Sequence, residues 1–200
     1  YCDKHMTDKN SMGVFVQNFN LNYNYLENLE KLEKSGIPFI ANQAHLIVCN
    51  FAIHYLIDDE HHINNLVNMV DTLLAPGGKF MFTCLDGEKV FNLFKGDEKE
   101  WGDGEKYKII KLYNDKKFNG AQKINILLPF TGGKLYTESL VNLKLIKKCF
   151  LKKKIKLESQ DTFELFLNSF EKKYNDMYKN LDEIDLEYIK LLNFSIYHKS

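Results

Sequence analysis

The chain has 200 residues, of which 44% are hydrophobic, and this is enough to form the core of one domain of ordinary size. Its 27 basic residues are all lysines and balance 27 acidic ones, which excludes a global basic field, so any contact with nucleic acid must be local. The four cysteines lack the paired spacing of a zinc site or a disulfide framework, and no apolar run reaches the roughly 20 residues of a membrane span. These features predict reduced thiols in an intracellular protein without a signal peptide.

Along the chain, short apolar runs typical of β-strands alternate with helical patterns, which predicts one α/β domain around a largely parallel sheet. Strands are predicted at 13–19, 45–51, 79–84, 107–113, 124–128, 155–157 and 191–197, with the fourth and fifth paired as a hairpin. Helices are predicted at 23–34, 58–74, 88–94 and 163–178, an amphipathic stretch at 139–154, and a surface loop or insertion at 96–104.

The run HLIVCNF at 45–51 is nearly continuously apolar, as expected of a central strand buried on both faces. It leads directly into AIHY, which places Asn50, Phe51, His54 and Tyr55 at the carboxyl end of a strand. Ligands of open α/β sheets bind at that edge, and this set of side chains could stack on and hydrogen-bond a purine. Taken alone, His54 could equally be a core histidine.

A second informative segment is LLAPGGKFMFT at 73–83, in which a helix ends in Pro-Gly-Gly and leads straight into an apolar strand. The glycines let the backbone turn with positive φ and pack close to the sheet. Such a turn is also used by other α/β folds.

The segments NFAIHY (50–55), PGGKFMFT (76–83) and LYTESLVN (135–142) together resemble the mRNA cap guanine-N7 methyltransferases, including the C-terminal methyltransferase domain of poxvirus-type capping enzymes. The resemblance implies a class I S-adenosylmethionine (SAM)-dependent methyltransferase fold, a Rossmann-like α/β sheet with helices on both faces. It implies that residues 1–200 are the C-terminal part of one such domain. The first SAM-binding βα units, with their Gly-rich loop, are then missing, and the fragment alone is expected to be inactive.

The resemblance also implies the site residues. Phe51, His54, Tyr55 and Glu138 would form the cap-guanine pocket, in which one carboxylate accepts from both guanine N1–H and N2–H₂. The cofactor SAM would be bound by Gln17, Asn18, Asn50 and Phe51. No general base is expected, because guanine N7 carries no proton to remove and catalysis would consist of positioning and electrostatics.

At two positions the sequence departs from the family pattern. His45 stands where the family has an acidic residue, and Leu192 stands where it has a tyrosine. Tyr188 lies close enough in sequence to compensate for the second change.

The implied activity is transfer of a methyl group from SAM to N7 of the cap guanine of GpppN-RNA. The expected partners are the capped 5′ end of mRNA, upstream guanylyltransferase and triphosphatase domains of the same polypeptide, and an activating small subunit. No membrane partner is expected; the location would be cytoplasmic for a viral enzyme and nuclear for a cellular one. Two alternatives stay open: a class I methyltransferase of another substrate, and a non-catalytic RNA-binding or stimulatory capping subunit.

Two charged clusters have simple interpretations. Adjacent His61 and His62 point to different sides of a helix, which indicates a solvated first turn, and no metal site is predicted. The lysines at 152–154 indicate a solvated helix end, with contact to the RNA backbone as the alternative.

Overall fold

The structure is a computed structural model that describes residues 24–34, 41–94 and 96–200. The strand predicted at 13–19, with the candidate cofactor residues Gln17 and Asn18, lies outside these residues. The α-helices are α1 Tyr25–Lys34, α2 Glu60–Leu73, α3 Gly87–Asn92, α4 Leu143–Leu151, α5 Leu167–Lys173, α6 Asn175–Tyr178 and α7 Glu183–Leu191. The β-strands are β1 Ala44–Asn50, β2 Leu74–Leu85, β3 Glu100–Gly102, β4 Lys108–Lys111, β5 Lys123–Leu127, β6 Tyr136–Ser139, β7 Ile155–Thr162 and β8 Leu192–Lys199. Short 3-10 turns lie at Ile53–Tyr55 and Phe163–Phe166.

The first sheet has the strand order β1-β2-β8-β7 in the described part of the chain. Strands β1 and β2 are parallel, whereas β8 runs antiparallel to both of its neighbours, β2 and β7. The α/β class is therefore confirmed, but the expectation of a largely parallel sheet is wrong for the described residues. The error arises because the alternation of strands and helices along a sequence does not specify the direction in which the last strand enters the sheet.

Helical segments cover both faces of this first sheet, as predicted. On one face, α2 and α4 pack on Phe80, Phe82 and Tyr197, whose side chains are almost fully buried. On the other face, the Phe163–Phe166 turn packs on Phe194, with ring centroids of Phe166 and Phe194 5.3 Å apart. The sheet is therefore the central layer of the molecule.

Strand β1 differs from its prediction. Ile47 and Cys49 pack against the core, but Leu46 and Val48 on the other face are 60% and 45% exposed. Burial on both faces is thus wrong for the structure as described, because β1 pairs with β2 alone among the described strands and its second face lacks a covering layer there. An apolar run in the sequence predicts a strand, but it does not show which face of that strand packs against another layer.

The second sheet is entirely antiparallel, with the order β3-β4-β5-β6 among the described strands. Strands β4 and β5 pair as the predicted hairpin. The segment at 96–104 was expected to be a loop or insertion, yet it contains β3, which extends the sheet by pairing with β4. Its inner face forms a second core around Ile109, Ile124 and Ile126, each at most 1% exposed.

Side chains that cap the helix N-termini explain where several helices begin. Asp59 accepts from the backbone of His62 before α2, and Asp86 accepts from Glu88 and Lys89 before α3. The helix predicted at 88–94 therefore begins at Gly87 and ends at Asn92. A Cβ at position 87 would come within 2.5 Å of the Val141 carbonyl oxygen, so only glycine fits at the first position of α3.

The long helix predicted at 163–178 is wrong. The structure has a 3-10 turn followed by the short helices α5 and α6, separated at Tyr174, whose φ of −133° and ψ of 49° are not helical. The rings of Phe163 and Phe166 pack on Phe194 and so fix the path of the turn, overriding its helical periodicity. Helix α7 was not predicted, although Asp182 and Asp185 form a complete capping box at its start.

Candidate functional site

The chain turns sharply where β1 ends. Phe51 has a φ of +45°, an unusual conformation for a bulky residue, and its N–H donates to both the carbonyl and the hydroxyl oxygen of Thr83, at 3.1 and 3.0 Å. Such strain persists only where surrounding contacts impose it, and it is concentrated at functional sites. The turn leaves the Phe51 ring 48% exposed at the carboxyl edge of the sheet.

The 3-10 turn that follows holds the next two predicted side chains. Ile53 is fully buried and anchors the turn in the core. His54 is 7% exposed and Tyr55 is 47% exposed, with their rings edge-to-face at a centroid distance of 4.0 Å. A buried imidazole and an accessible phenol ring are thereby presented side by side.

Glu138 reaches the same place from the second sheet. It lies on β6 opposite Ile124 of β5, so its side chain faces the inner side of that sheet. Its carboxylate oxygen Oε1 is 3.4 Å from Nε2 of His54, and the two side chains are 11% and 8% exposed. The structure thus brings together the four residues predicted for the cap-guanine pocket, which lie up to 87 positions apart in sequence.

Burial shifts the pKa values of His54 and Glu138 so that the neutral form of each side chain is favoured. Desolvation lowers the pKa of His54 to about 4 and raises the pKa of Glu138 to about 7. The distance between them suits an ion pair, but Nε2 of His54 makes no hydrogen bond to any described group. Because the imidazole is neutral near pH 7, we regard the contact as two weakly coupled polar groups facing a pocket and not as a formed salt bridge.

A cavity of about 460 Å³ opens in front of this pair. This volume is within the range of pockets that bind small ligands. Its walls are mainly apolar and aromatic, and they come from both sheets and from α7. The lining residues are Phe51, His54, Tyr55, Leu85, Ile126, Leu128, Phe130, Thr131, Tyr136, Glu138, Tyr188 and Leu192.

Tyr188 and Leu192 both line the cavity, so the compensation expected from Tyr188 is geometrically available. The Tyr188 ring stacks on Tyr107, with centroids 4.4 Å apart and an angle of 19° between planes. The Tyr107 hydroxyl donates to Asp185 Oδ1 at 2.9 Å, and Lys106 forms an ion pair with the same carboxylate. This network fixes the orientation of Tyr188, and burial raises the pKa of its hydroxyl well above the ordinary value.

Several lining residues were not identified from the sequence. Tyr136 lies two positions before Glu138 on the same strand, so alternation of side chains along β6 could have placed both on one face. Phe130 is on the β5–β6 connection and is 83% exposed at the rim. Its place could not be read from the sequence, because the fold of the connection was not predicted.

The candidate cofactor residues are only partly described. Asn50 is exposed at the carboxyl end of β1, directly before Phe51, and its side-chain oxygen accepts a long hydrogen bond from the Thr83 hydroxyl at 3.4 Å. Its position beside Phe51 stays consistent with a role next to the cap pocket. His45, which stands in place of the family's acidic residue, is exposed near the opposite end of the same strand.

The remaining charged clusters have local partners. Nδ1 of His62 lies 2.8 Å from the capping carboxylate of Asp59, so this residue belongs to the first turn of α2. Lys153 lies 3.8 Å from Asp71 at the end of α4. In the described ranges, no group of three His, Cys, Asp or Glu residues is arranged to hold a metal ion, and no helix is long and apolar enough to cross a membrane.

Comparison with known proteins gives sequence relatives among large DNA viruses. The chain is 30% identical, over 96% of its length, to part of the mRNA-capping enzyme of African swine fever virus. The chain is homologous to viral mRNA-capping enzymes. It is also 27% identical over 68% of its length to the probable mRNA-capping enzyme of Acanthamoeba polyphaga mimivirus. It spans only 23% and 13%, respectively, of the lengths of these two capping enzymes.

Solved structures similar to the chain include SAM-dependent methyltransferases. One from Clostridium acetobutylicum is 13% identical, with 88% of this chain and 70% of that one covered and a TM-score of 0.46. Another, from Mesorhizobium loti, is 11% identical, with 82% and 66% covered and a TM-score of 0.45. No protein-family model matches the chain.

Proposed function

We propose that this chain is the cap-binding part of an mRNA cap guanine-N7 methyltransferase, which transfers a methyl group from SAM to N7 of the guanine in GpppN-RNA. The single observation that supports it most directly is the convergence of Phe51, His54, Tyr55 and Glu138 on one 460 Å³ cavity. Homology to viral capping enzymes supports the same choice. Upstream capping domains, an activating subunit and a cytoplasmic location belong to the same proposal.

In this proposal the guanine base lies between aromatic side chains of the cavity. Phe51 and Tyr55 are each about half exposed, so a flat base can displace water from their faces. The Glu138 carboxylate accepts from guanine N1–H and N2–H₂, a bidentate match that a neutral side chain reproduces less well. The neutral His54 imidazole lines the same cavity, and its buried Nε2 lies 3.4 Å from the Glu138 carboxylate.

SAM supplies a methyl group already activated on a sulfonium sulfur, so the residues of this chain need only hold guanine in the reactive orientation. Asn50 and Phe51 would be the described contacts with the cofactor, and Gln17 and Asn18 would be further contacts. No residue removes a proton, because N7 carries none. As positive charge develops on the purine, the buried Glu138 carboxylate stabilises it.

The experiment that tests this function is methyl transfer from SAM to GpppA-capped RNA by the full-length polypeptide and its Glu138→Gln variant. Glutamine keeps the shape but replaces one acceptor with a donor that opposes the guanine N–H groups. A bidentate contact is worth about 1–3 kcal/mol, so kcat/KM should fall about 5- to 150-fold.

The matched control is Glu187→Gln, which removes an exposed carboxylate next to Tyr188 without touching the cavity lining. It should retain full activity. Undiminished transfer by Glu138→Gln would remove Glu138 from the cap pocket. Absence of transfer by the parent, with RNA binding intact, would favour the non-catalytic capping subunit.

A further inference from the structure

A second groove, separate from the guanine pocket, lies between the 116–118 loop and the helices α3 and α4. Its volume is about 510 Å³. The lining residues are Glu88, Phe91, Asn92, Lys116, Lys117, Phe118, Asn142, Lys144, Leu145 and Lys148. No residue is shared with the lining of the first cavity.

The charge of this groove is strongly positive in a chain whose net charge is zero. Four of its lining residues are lysines and one is a glutamate. Lys144 is paired with Glu88 at 2.7 Å. The other three, Lys116, Lys117 and Lys148, form no ion pair with any carboxylate in the described part of the chain.

The loop that carries Lys116 and Lys117 is held in place by a buried side chain. Gln122 is 2% exposed; its amide donates to the Lys117 carbonyl at 2.9 Å and accepts from the N–H groups of Asn119 and Gly120. Because both ends of this amide are used, the loop has one defined path. The backbone that carries the two lysines therefore has a defined position beside the groove.

The same loop is fastened to the helix that carries Lys148. Asn142 caps α4 by accepting from the Leu145 N–H at 3.0 Å, and its Nδ2 donates to the Asn119 carbonyl at 3.1 Å. Gly120, with a φ of +86°, lies so close that a Cβ would come within 2.5 Å of the Asn142 Cβ. Lysines from the loop and from α4 therefore lie along the same groove, where their positive charges repel one another. An anionic ligand would stabilise this arrangement.

The groove also contains aromatic surface. Phe91 and Phe118 are both partly exposed there, with ring centroids 5.7 Å apart. A cationic groove with aromatic side chains matches the chemistry of single-stranded nucleic acid, whose phosphates contact lysines and whose bases stack on rings. An acidic protein segment would use the charges but would gain less from the rings.

We propose that this groove binds the phosphodiester backbone of the RNA chain beyond the cap, through Lys116, Lys117 and Lys148. The inference rests on the proposed function, since it concerns the same RNA substrate at a second site. In this proposal, the contribution of the groove to RNA affinity depends on RNA length and salt concentration, whereas the guanine pocket binds the cap itself.

The test compares two triple variants of the full-length polypeptide with equal changes in charge. The groove variant is Lys116→Ala/Lys117→Ala/Lys148→Ala. The matched control is Lys172→Ala/Lys173→Ala/Lys179→Ala, which removes three exposed lysines of α5 and the end of α6 that line neither cavity. Binding of a fluorescent, capped 20-nucleotide RNA and of the cap dinucleotide GpppA is measured by anisotropy and competition between 50 and 200 mM salt.

We expect the groove variant to bind the capped RNA at least about tenfold more weakly and the slope of log K against log salt to fall by about 2, the value for three lost contacts to single-stranded RNA. Its affinity for GpppA and its melting temperature should be unchanged, and the control should match the parent. Because binding is measured without methyl transfer, an inactive parent would count against the proposed function and not against the groove.

Three results would overturn the proposal. The first is RNA binding that is unchanged in the groove variant, or reduced equally in the control. The second is a loss of GpppA affinity in the groove variant, which would show that the two sites are not separate. The third is competition by polyglutamate as effective as that by RNA of equal charge, which would assign the groove to an acidic protein segment.

Discussion

Glu138 and His54 are two buried titratable residues that face each other in the lining of the cavity, and under the proposed function the protonation of Glu138 governs guanine binding. The pKa of Glu138 rises from 4.5 to about 7 on burial, so its contribution to folding is fully present below pH 4.5 and is lost as the pH rises through 7. The pKa of His54 falls from 6.5 to about 4, so its contribution is present above pH 6.5 and is lost as the pH falls through 4. The two groups therefore weaken the fold at opposite ends of the pH range.

A pH titration separates stability from binding. We expect Glu138→Gln to be more stable than the parent at pH 8 by roughly 1–3 kcal/mol, with the difference disappearing by pH 4.5, because the variant never buries a charge. The affinity of the parent for GpppA should instead rise as the pH increases from 6 to 8, since guanine requires the ionised carboxylate. Urea unfolding and cap titration at each pH would measure both. A cap affinity that falls over this range would contradict the assigned role of Glu138.

At the level of secondary-structure elements, α7 contributes Tyr188 to the wall of the cavity, and contacts with the start of β4 hold this residue in place. Tyr107 lies directly before β4, and its hydroxyl bonds Asp185 of α7 while its ring stacks on Tyr188. Asp185 is itself a capping residue of α7 and accepts from the backbone of Asp182 at 3.1 Å. One carboxylate thus starts the helix and joins it to the second sheet.

The variant Tyr107→Phe tests this arrangement. It keeps the stacked ring but removes one hydrogen bond to a charged acceptor, so the free energy of unfolding should fall by about 1.5–3 kcal/mol. The KM for capped RNA should rise several-fold while kcat changes little, because Tyr188 loses its fixed orientation. Tyr174→Phe, at an exposed tyrosine away from the pocket, is the control and should alter neither value. A changed kcat with an unchanged KM would contradict a positioning role.

At the scale of the whole molecule, the described residues form two hydrophobic cores, and the cavity lies against only the second of them. Phe150 belongs to the first core, is fully buried and packs on Phe80 and Tyr197 at centroid distances of 5.4 and 5.0 Å. The second core contains Ile126 and Leu192, which also line the pocket. The two cores can therefore be perturbed separately.

We expect Phe150→Ala to lower the free energy of unfolding by about 3–5 kcal/mol, the usual range for loss of a buried phenylalanine. The affinity for GpppA of the molecules that remain folded should be unchanged, because the first core, to which Phe150 belongs, shares no residue with the cavity lining. Denaturant unfolding combined with cap titration at 15 °C would measure both effects. A proportionate loss of cap affinity would mean that the two cores are coupled through the sheet.

The sequence predicted well what short local patterns determine. The end of β1 and the convergence of Phe51, His54, Tyr55 and Glu138 were anticipated, the latter through family resemblance. The Pro-Gly-Gly segment was predicted to end the helix and precede the strand, but α2 already ends at Leu73 and the segment lies inside β2, with the positive φ of 75° expected of a glycine at Gly77. The sequence did not predict the direction of β8 or the exposure of one face of β1. Both depend on contacts between segments that are distant in sequence. The same reason explains why α7 and the place of Phe130 were missed.

The cavity takes its walls mainly from residues 51–55, 126–138 and 188–192, with Leu85 as a further contact, and no disulfide bond among the described cysteines joins these segments. A bound cap would therefore act as a reversible cross-link between the two sheets and the last helix. By mass action, a ligand at 100 times its Kd adds about 2.7 kcal/mol to the stability of the state that binds it. If the proposed function holds, binding of a guanine cap stabilises the arrangement of the two sheets and the last helix that forms its own site.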